Sequence, residues 1–220
     1  MNLQQFKFLI LGIFSVQSIR ELVIKMKTFL TLIFLFFSSS VVADDISDFQ
    51  IEGISVGDSL LDYFSFFQIK DNILSTNYKS KKYIRVVFYK SKFDFINFYD
   101  GLNIHIKAND NNYIVSSISG AKIYENINEC NNQRDQIFES IIEQFNDMEI
   151  NDNGLRNHSL DNTGESTTNA IFFNLKVGGS GSVGCVDFSK KFEDNGAKDH
   201  LRITMSNKEY RTWLDTEAYK

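Results

Sequence analysis

Four residues near the end of the chain are of the types that hydrolases use: Asp187, Ser189, Asp199 and His200. A serine made nucleophilic by a histidine, which an aspartate orients, is a recurrent catalytic arrangement. However, no Gly-x-Ser-x-Gly segment surrounds Ser189, and the two lysines that follow it are typical of a solvated loop. We therefore predict no catalytic residue, keep a small secreted hydrolase as an alternative, and expect His200 to form a hydrogen bond at a strand end.

Two other patterns have the residue types of a cofactor or metal site. The segment 178–182 (GGSGS) is glycine-rich, but no Lys-Ser/Thr pair or helix follows it, so it predicts a hairpin turn rather than a phosphate loop. His105 and His158 have no ligand partner two or four residues away, and no calcium-loop spacing occurs. The sequence therefore predicts no cofactor and no metal.

The chain has two cysteines, Cys130 and Cys185, both downstream of the leader described below. An even number of cysteines in an exported chain favours one disulfide. Cys130 shares the apolar stripe of a predicted helix and Cys185 lies in a predicted strand, so the bridge would join helix to sheet. The loop-entropy model assigns such a bridge about 4 kcal/mol of stability. Two buried reduced thiols are the alternative.

A complete secretory signal begins at residue 26. Lys27 supplies the charge, residues 29–37 (FLTLIFLFF) form the apolar region, and residues 38–43 end in a small-residue cleavage site. We expect cleavage between Ala43 and Asp44. The expected location is periplasmic or secreted, with no membrane association after cleavage.

Residues 1–25 precede this signal and have two interpretations. The first is an upstream extension of the gene model, with translation starting at Met26. The second is a real N-terminus that holds the protein in the inner membrane without cleavage. Its apolar stretch, residues 8–16, is much shorter than the roughly 20 residues that a spanning helix needs. This membrane-anchored form is kept as an alternative.

The exported part is acidic and rich in aromatic residues. The whole chain has 23 basic and 28 acidic residues, of which residues 1–43 contain four and one, so residues 44–220 have a formal net charge of −8. Such a charge disfavours nucleic-acid binding. Core packing is the expected role, with a ligand groove as the alternative, of seven aromatic residues at the two ends of segment 64–99: Phe64, Phe66, Phe67, Phe93, Phe95, Phe98 and Tyr99.

In the first half of the exported part, the sequence predicts a helix followed by strands. Ser55 and Asp58 predict the start of a helix with Val56, Leu60, Leu61 and Phe64 on its apolar face. A second capping pattern, at 65–68, opens a turn or helix through Ile73. We predict strands over 83–89, 102–106 and 113–118, the last two joined by a turn at 110–112, and a bulge at Gly120.

The second half repeats that order. We predict a long helix over 128–148, a polar and mobile loop over 146–169, and strands over 170–177, 182–188 and 201–205. A capping box at Ser206 and Glu209 opens a last helix. Short connections between strands favour antiparallel pairing, so the predicted class is α+β: an antiparallel sheet of hairpins and meanders, a long central helix, a C-terminal helix and one disulfide. We expect one domain over 44–220, made of two halves, 44–125 and 126–220.

Two fragments resemble known sequences: residues 51–61 (IEGISVGDSLL), and the end of the chain with 200–203 (HLRI), 213–214 (WL) and 218–220 (AYK). They resemble uncharacterised signal-peptide-bearing proteins of AT-rich marine bacteria, which implies a bacterial periplasm and no particular activity. Residues 53–59 are also similar to the opening of the helix-plus-meander domains of outer-membrane assembly lipoproteins, although the lipid-bearing cysteine is absent.

Together these features predict an exported, soluble protein without a catalytic constellation. The expected function is that of a non-catalytic periplasmic binding or envelope-associated module. Its expected partner is a protein, a peptide or an envelope component.

Overall fold

The structure is a computed structural model that describes residues 45–145 and 147–220. Its helices are α1 (Phe66–Asp71), α2 (Ile127–Gln144), α3 (Lys190–Asp194) and α4 (Lys208–Thr216), with 3-10 helices at Ile46–Asp48, Leu60–Asp62 and Lys90–Lys92. Its strands are β1 (Gln50–Ile51), β2 (Ile54–Ser55), β3 (Ile73–Leu74), β4 (Tyr83–Tyr89), β5 (Gly101–Lys107), β6 (Val115–Ile123), β7 (Met148–Asn157), β8 (Thr167–Leu175), β9 (Ser180–Asp187) and β10 (His200–Ser206). The signal peptide and the Ala43–Asp44 cleavage site lie outside the described residues.

Eight of these strands form one antiparallel sheet in the order β3-β4-β5-β6-β10-β9-β8-β7. β3 to β6 form one four-stranded meander and β7 to β10 form another, and their last strands, β6 and β10, pair at the centre. β1 and β2 form a separate hairpin. The α+β class with an antiparallel sheet, a long central helix and a C-terminal helix is confirmed.

One face of the sheet carries the core. Alternation along the strands places Ile104, Ile118 and Met205 in one cross-strand row, and Ile203, Val183 and Ile171 beside it. Five of these six side chains are fully buried and Ile171 is nearly so. Each such burial stabilises the fold by roughly 1.5–3 kcal/mol. α2 packs on this face against β9 and β10.

The predicted disulfide is present. Cys130 of α2 is bonded to Cys185 of β9, and both residues are buried. The bond joins positions 55 residues apart and fastens the central helix to the sheet.

The predicted polar loop over 146–169 is wrong for most of its length. α2 ends at Gln144, Phe145 is already extended, and Met148 is the first residue of β7 rather than part of the helix. β7 pairs with β8 along its length, so tertiary pairing overrides a composition that favours turns. The turn that follows is organised by the buried Asp161, whose carboxylate accepts hydrogen bonds from the amides and hydroxyls of Thr163 and Ser166.

The first predicted helix is also wrong. Asp58 accepts a hydrogen bond from the Ser55 amide as expected, but the bond closes a turn after β2, in which Gly57 has a φ of 97°. Only the 3-10 helix Leu60–Asp62 follows, capped by the Ser59 hydroxyl. The second pattern is confirmed, because Ser65 and Gln68 form a reciprocal capping box at the start of α1.

Gly120 does not form the predicted bulge. The irregularity between β5 and β6 lies at His105 and Ile106 instead. Gly120 is a close-approach position, because a Cβ built on it would lie 2.7 Å from the ring of Tyr99. The glycine therefore makes room for an aromatic ring over the centre of the sheet.

We predict that replacing both cysteines by alanine lowers the free energy of unfolding by about 4 kcal/mol, because the unfolded chain loses a long loop constraint. Urea unfolding of the variant and the parent measures the difference. Adding reductant is expected to destabilise the parent to a similar extent and to leave the variant unchanged. If reductant added to the unfolded parent leaves its measured stability the same, the bridge is contradicted.

We predict that Gly120→Ala costs about 1–3 kcal/mol of stability through overpacking. Gly101→Ala is the matched control, since its Cβ would meet neighbours only at 3.4 Å or more. When Tyr99→Ala is already present, adding Gly120→Ala should cause little further loss of stability. Thermal unfolding of the single and double variants measures this. An equal cost in both backgrounds would mean that Tyr99 is not the reason for the glycine.

Candidate ligand-binding face

The sheet face opposite α2, called here the open face, is covered over only part of its area. α4 lies over the β3–β6 side, where Tyr210 and Trp213 pack against Tyr83. The Asn207 side chain caps α4 by accepting a hydrogen bond from the Tyr210 amide, so the cap lies one residue after the predicted Ser206. The indole nitrogen of Trp213 donates to the Ser80 hydroxyl.

The uncovered part of the open face has a floor of small polar side chains. Its members come from adjacent strands: Ser117, Ser119, Ser180, Ser182, Thr204 and Ser206. Across the β6–β10 pair, Ser117 and Ser206 hydroxyls lie 2.8 Å apart and those of Ser119 and Thr204 lie 2.9 Å apart. Such short side chains leave a low surface between the taller flanking elements.

Four residues of this floor line a groove, defined here by two adjoining cavities of about 310 and 380 Å³: Ser180, Ser182, Thr204 and Ser206. The two cavities share Asn153, Phe172 and Ser182. Arg211 of α4 lines one and Arg202 of β10 lines the other, while β7 contributes asparagines to both. Volumes of this size fall in the range of ligand sites.

The groove is basic although the exported chain is acidic. The described residues contain five arginines, and four of them lie on the open face or line the groove: Arg85, Arg156, Arg202 and Arg211. Neither cavity has an aspartate or glutamate in its lining. The guanidinium of Arg202 is solvent-accessible, yet it lies in a concave site where surrounding protein displaces water; this desolvation and the nearby charge of Arg85 lower its pKa.

Beside the groove, several polar atoms on the open face are buried and unpaired within the described part of the chain. They include Nε of Arg85, Oδ1 of Asn103, Nδ1 of His105 and the hydroxyl of Tyr83. His105 is 6% exposed, and its Nε2 lies 3.4 Å from the Tyr78 hydroxyl. Burial, and then the charge of Arg85, lower the pKa of His105 to about 4, so this imidazole is neutral at pH 7.

The four residues considered for hydrolysis do not form a catalytic triad. Nδ1 of His200 lies 2.8 Å from the Lys198 carbonyl, so the nitrogen that an aspartate would orient is already engaged. Asp199 accepts a hydrogen bond from the Phe188 amide instead. The predicted hydrogen bond of His200 at a strand end is confirmed, since His200 is the first residue of β10.

The remaining sequence candidates have structural roles. The predicted hairpin is present, but its connection is 176–179, in which Gly178 and Gly179 have φ values of 103° and 102°, and Ser180 and Gly181 already belong to β9. Phe64 stacks on Phe88 at 3.9 Å within the core, as expected for the aromatic cluster, whereas Phe66 and Phe67 of that cluster are 47% and 74% exposed. Across 45–145 and 147–220 no group of three or more His, Cys, Asp or Glu residues is placed to hold a metal ion. No helix in those ranges is long and apolar enough to cross a membrane.

The groove was not predicted, but the sequence contains a signal for it. Arg85 follows Ile84 and precedes Val86, and Arg202 lies between Leu201 and Ile203. A cation within an alternating apolar strand marks the face turned away from the core. Only the strand order shows that these two arginines lie on the same face of one sheet.

No protein-family model, curated protein or solved structure matches this chain. The class is therefore defined by the fold and the groove: an α+β domain whose eight-stranded sheet is covered by a helix on one face and carries an arginine-lined groove on the other.

We predict that acid destabilises the fold through His105. Its folded pKa is near 4 and its ordinary value is 6.5, so the unfolded state binds more protons between these values and stability falls as pH drops through that window. The loss approaches about 3 kcal/mol at the low end. Urea unfolding at several pH values should show a shallower loss in His105→Asn.

The matched control is His158→Asn, which removes a histidine from the turn after β7 and leaves His105 in place. Part of the loss should persist in His105→Asn, since burial also lowers the pKa of His200. Identical pH dependence in His105→Asn and the parent would contradict the assignment.

Proposed function

We propose that this chain is an exported, non-catalytic binding module that holds a protein, a peptide or an envelope component in the groove of its open face. The observation that carries the proposal is the groove itself, with its small polar floor and with two arginines, Arg156 and Arg202, that have no carboxylate partner among the described residues. An antiparallel sheet can expose one face to water without any function. Cavities with convergent polar groups are instead typical of binding sites.

The absence of a triad among the described residues favours binding over hydrolysis. Ser189 donates its amide to the Ser166 hydroxyl, and no described carboxylate bonds to His200. The groove also lacks the acid–base pair that hydrolysis without a serine would need, because its lining contains no carboxylate.

The disulfide supports a location outside the cytoplasm. Buried disulfides persist in oxidising compartments such as the periplasm. Together with the predicted signal peptide, the Ala43–Asp44 cleavage site and the resemblance to proteins of marine bacteria, this supports a mature periplasmic form. A leader that stays uncleaved would give the same domain tethered to the inner membrane.

Site-specific photocrosslinking in cells that export the full chain tests the proposal. Benzoylphenylalanine in place of Phe172 puts a reactive group where the two cavities meet, and it replaces one aromatic side chain by another. The control is the same residue in place of Ile142, which is 44% exposed on α2. We expect a discrete adduct from position 172 that is absent from position 142.

The adduct should disappear when Ser182→Trp fills the floor of the groove. Disulfide formation and thermal unfolding show whether that variant has kept its fold. Adducts of equal intensity from positions 172 and 142, or none from position 172, would refute the groove as the binding site.

A further inference from the structure

We infer that the groove recognises an acidic polypeptide segment, whose carboxylates pair with Arg202 and Arg156. This inference rests on the proposed function and adds the chemistry of the partner. It depends on the charge, the spacing and the missing partners of the arginines.

The first argument is charge complementarity. The exported chain has a net charge of −8, yet carboxylates are missing from the lining of both cavities. Polar lining positions on β7 and β8 are filled by amides such as Asn151, Asn153 and Asn174. A neutral floor with cationic walls attracts anions and repels the rest of this protein's own acidic surface.

The second argument is that the key arginines have no ionic partner. Within 45–145 and 147–220, the Arg202 side chain makes no hydrogen bond or ion pair, and Arg156 bonds only to the Asn153 carbonyl. Arg85 bonds to the Ser75 carbonyl while its Nε stays buried and unpaired. By contrast, Arg134 on α2 and Arg211 on α4 are each paired with an aspartate.

The third argument is spacing, which fits a chain with several carboxylates. Arg202 lies on β10, the fourth strand from the β7 edge where Arg156 lies. Three strand spacings separate them, or about 14 Å. Arg85 lies three further strands away on β4, so the three backbones span about 29 Å of sheet.

Arg202 and Arg156 line the same cavity from different strands, so a chain with several carboxylates can pair with each of them separately. An extended peptide rises about 3.3 Å per residue, so carboxylates four residues apart match the spacing of Arg202 and Arg156. The hydroxyls of the floor add hydrogen-bonding groups for a peptide backbone lying across the strands. The best-fitting occupant is therefore an extended acidic segment.

A labelled peptide of about nine residues, long enough to cross the arginine span, tests the inference. The probe has glutamate at alternate positions, and its control has glutamine in their place. Fluorescence anisotropy with the full exported chain should show saturable binding of the glutamate peptide only. The affinity should fall as salt is added, because the contacts are ionic.

Arg202→Gln is expected to weaken binding about ten-fold or more, and Arg156→Gln to a similar degree, because each removes a charge-assisted hydrogen bond. Arg202→Lys should be intermediate, since it keeps the charge but loses the two-pronged geometry. Arg134→Gln is the matched control, as it removes an arginine from α2, and it should bind like the parent.

Three outcomes would overturn the inference. The first is equal binding by Arg202→Gln and Arg134→Gln. The second is inorganic phosphate displacing the probe as well as the unlabelled peptide does, which would identify a small-anion site. The third is no peptide binding while position 172 still forms its adduct, in which case the groove binds another ligand and only the acidic partner is wrong. If both the peptide and the adduct are missing, the proposed function fails as well.

Discussion

The pairing of β6 with β10 is the contact on which the rest of the structure depends. Seven residue pairs, from Ile123 with His200 to Ser117 with Ser206, join two four-stranded meanders into one sheet. Without it, each meander would present a separate short edge and a separate small apolar face. With it, the apolar rows of both halves become continuous, and α2 can cover them as one core.

The same pairing determines the open face, because side chains alternate along every strand. The register that buries Ile118 beside Met205 on one side sets serine and threonine hydroxyls against each other on the other side. Those hydroxyls bond across the seam, so their cost of partial burial is small. Core and groove are thus two consequences of a single register.

Locally encoded features could be predicted from the sequence, whereas features that depend on distant partners could not. β4 and the capping box of α1 are determined by residues within one element, and their predictions are confirmed. β7 is held by pairing with β8, so its own polar composition predicts a loop. Gly120 is explained by the ring of Tyr99, which is 21 residues away in sequence. The groove depends on strand order, which local patterns do not contain.

The missing carboxylate explains why Arg202 indicates a partner. A guanidinium placed in a concave site loses part of its hydration, and protein folds usually recover that loss with a nearby carboxylate. This chain has acidic residues in excess and uses them that way for Arg134 and Arg211. The cavity that Arg202 lines contains no carboxylate, and the pKa of that guanidinium is lowered by desolvation and by Arg85. An acidic ligand would supply the carboxylate partner that Arg202 lacks among the described residues.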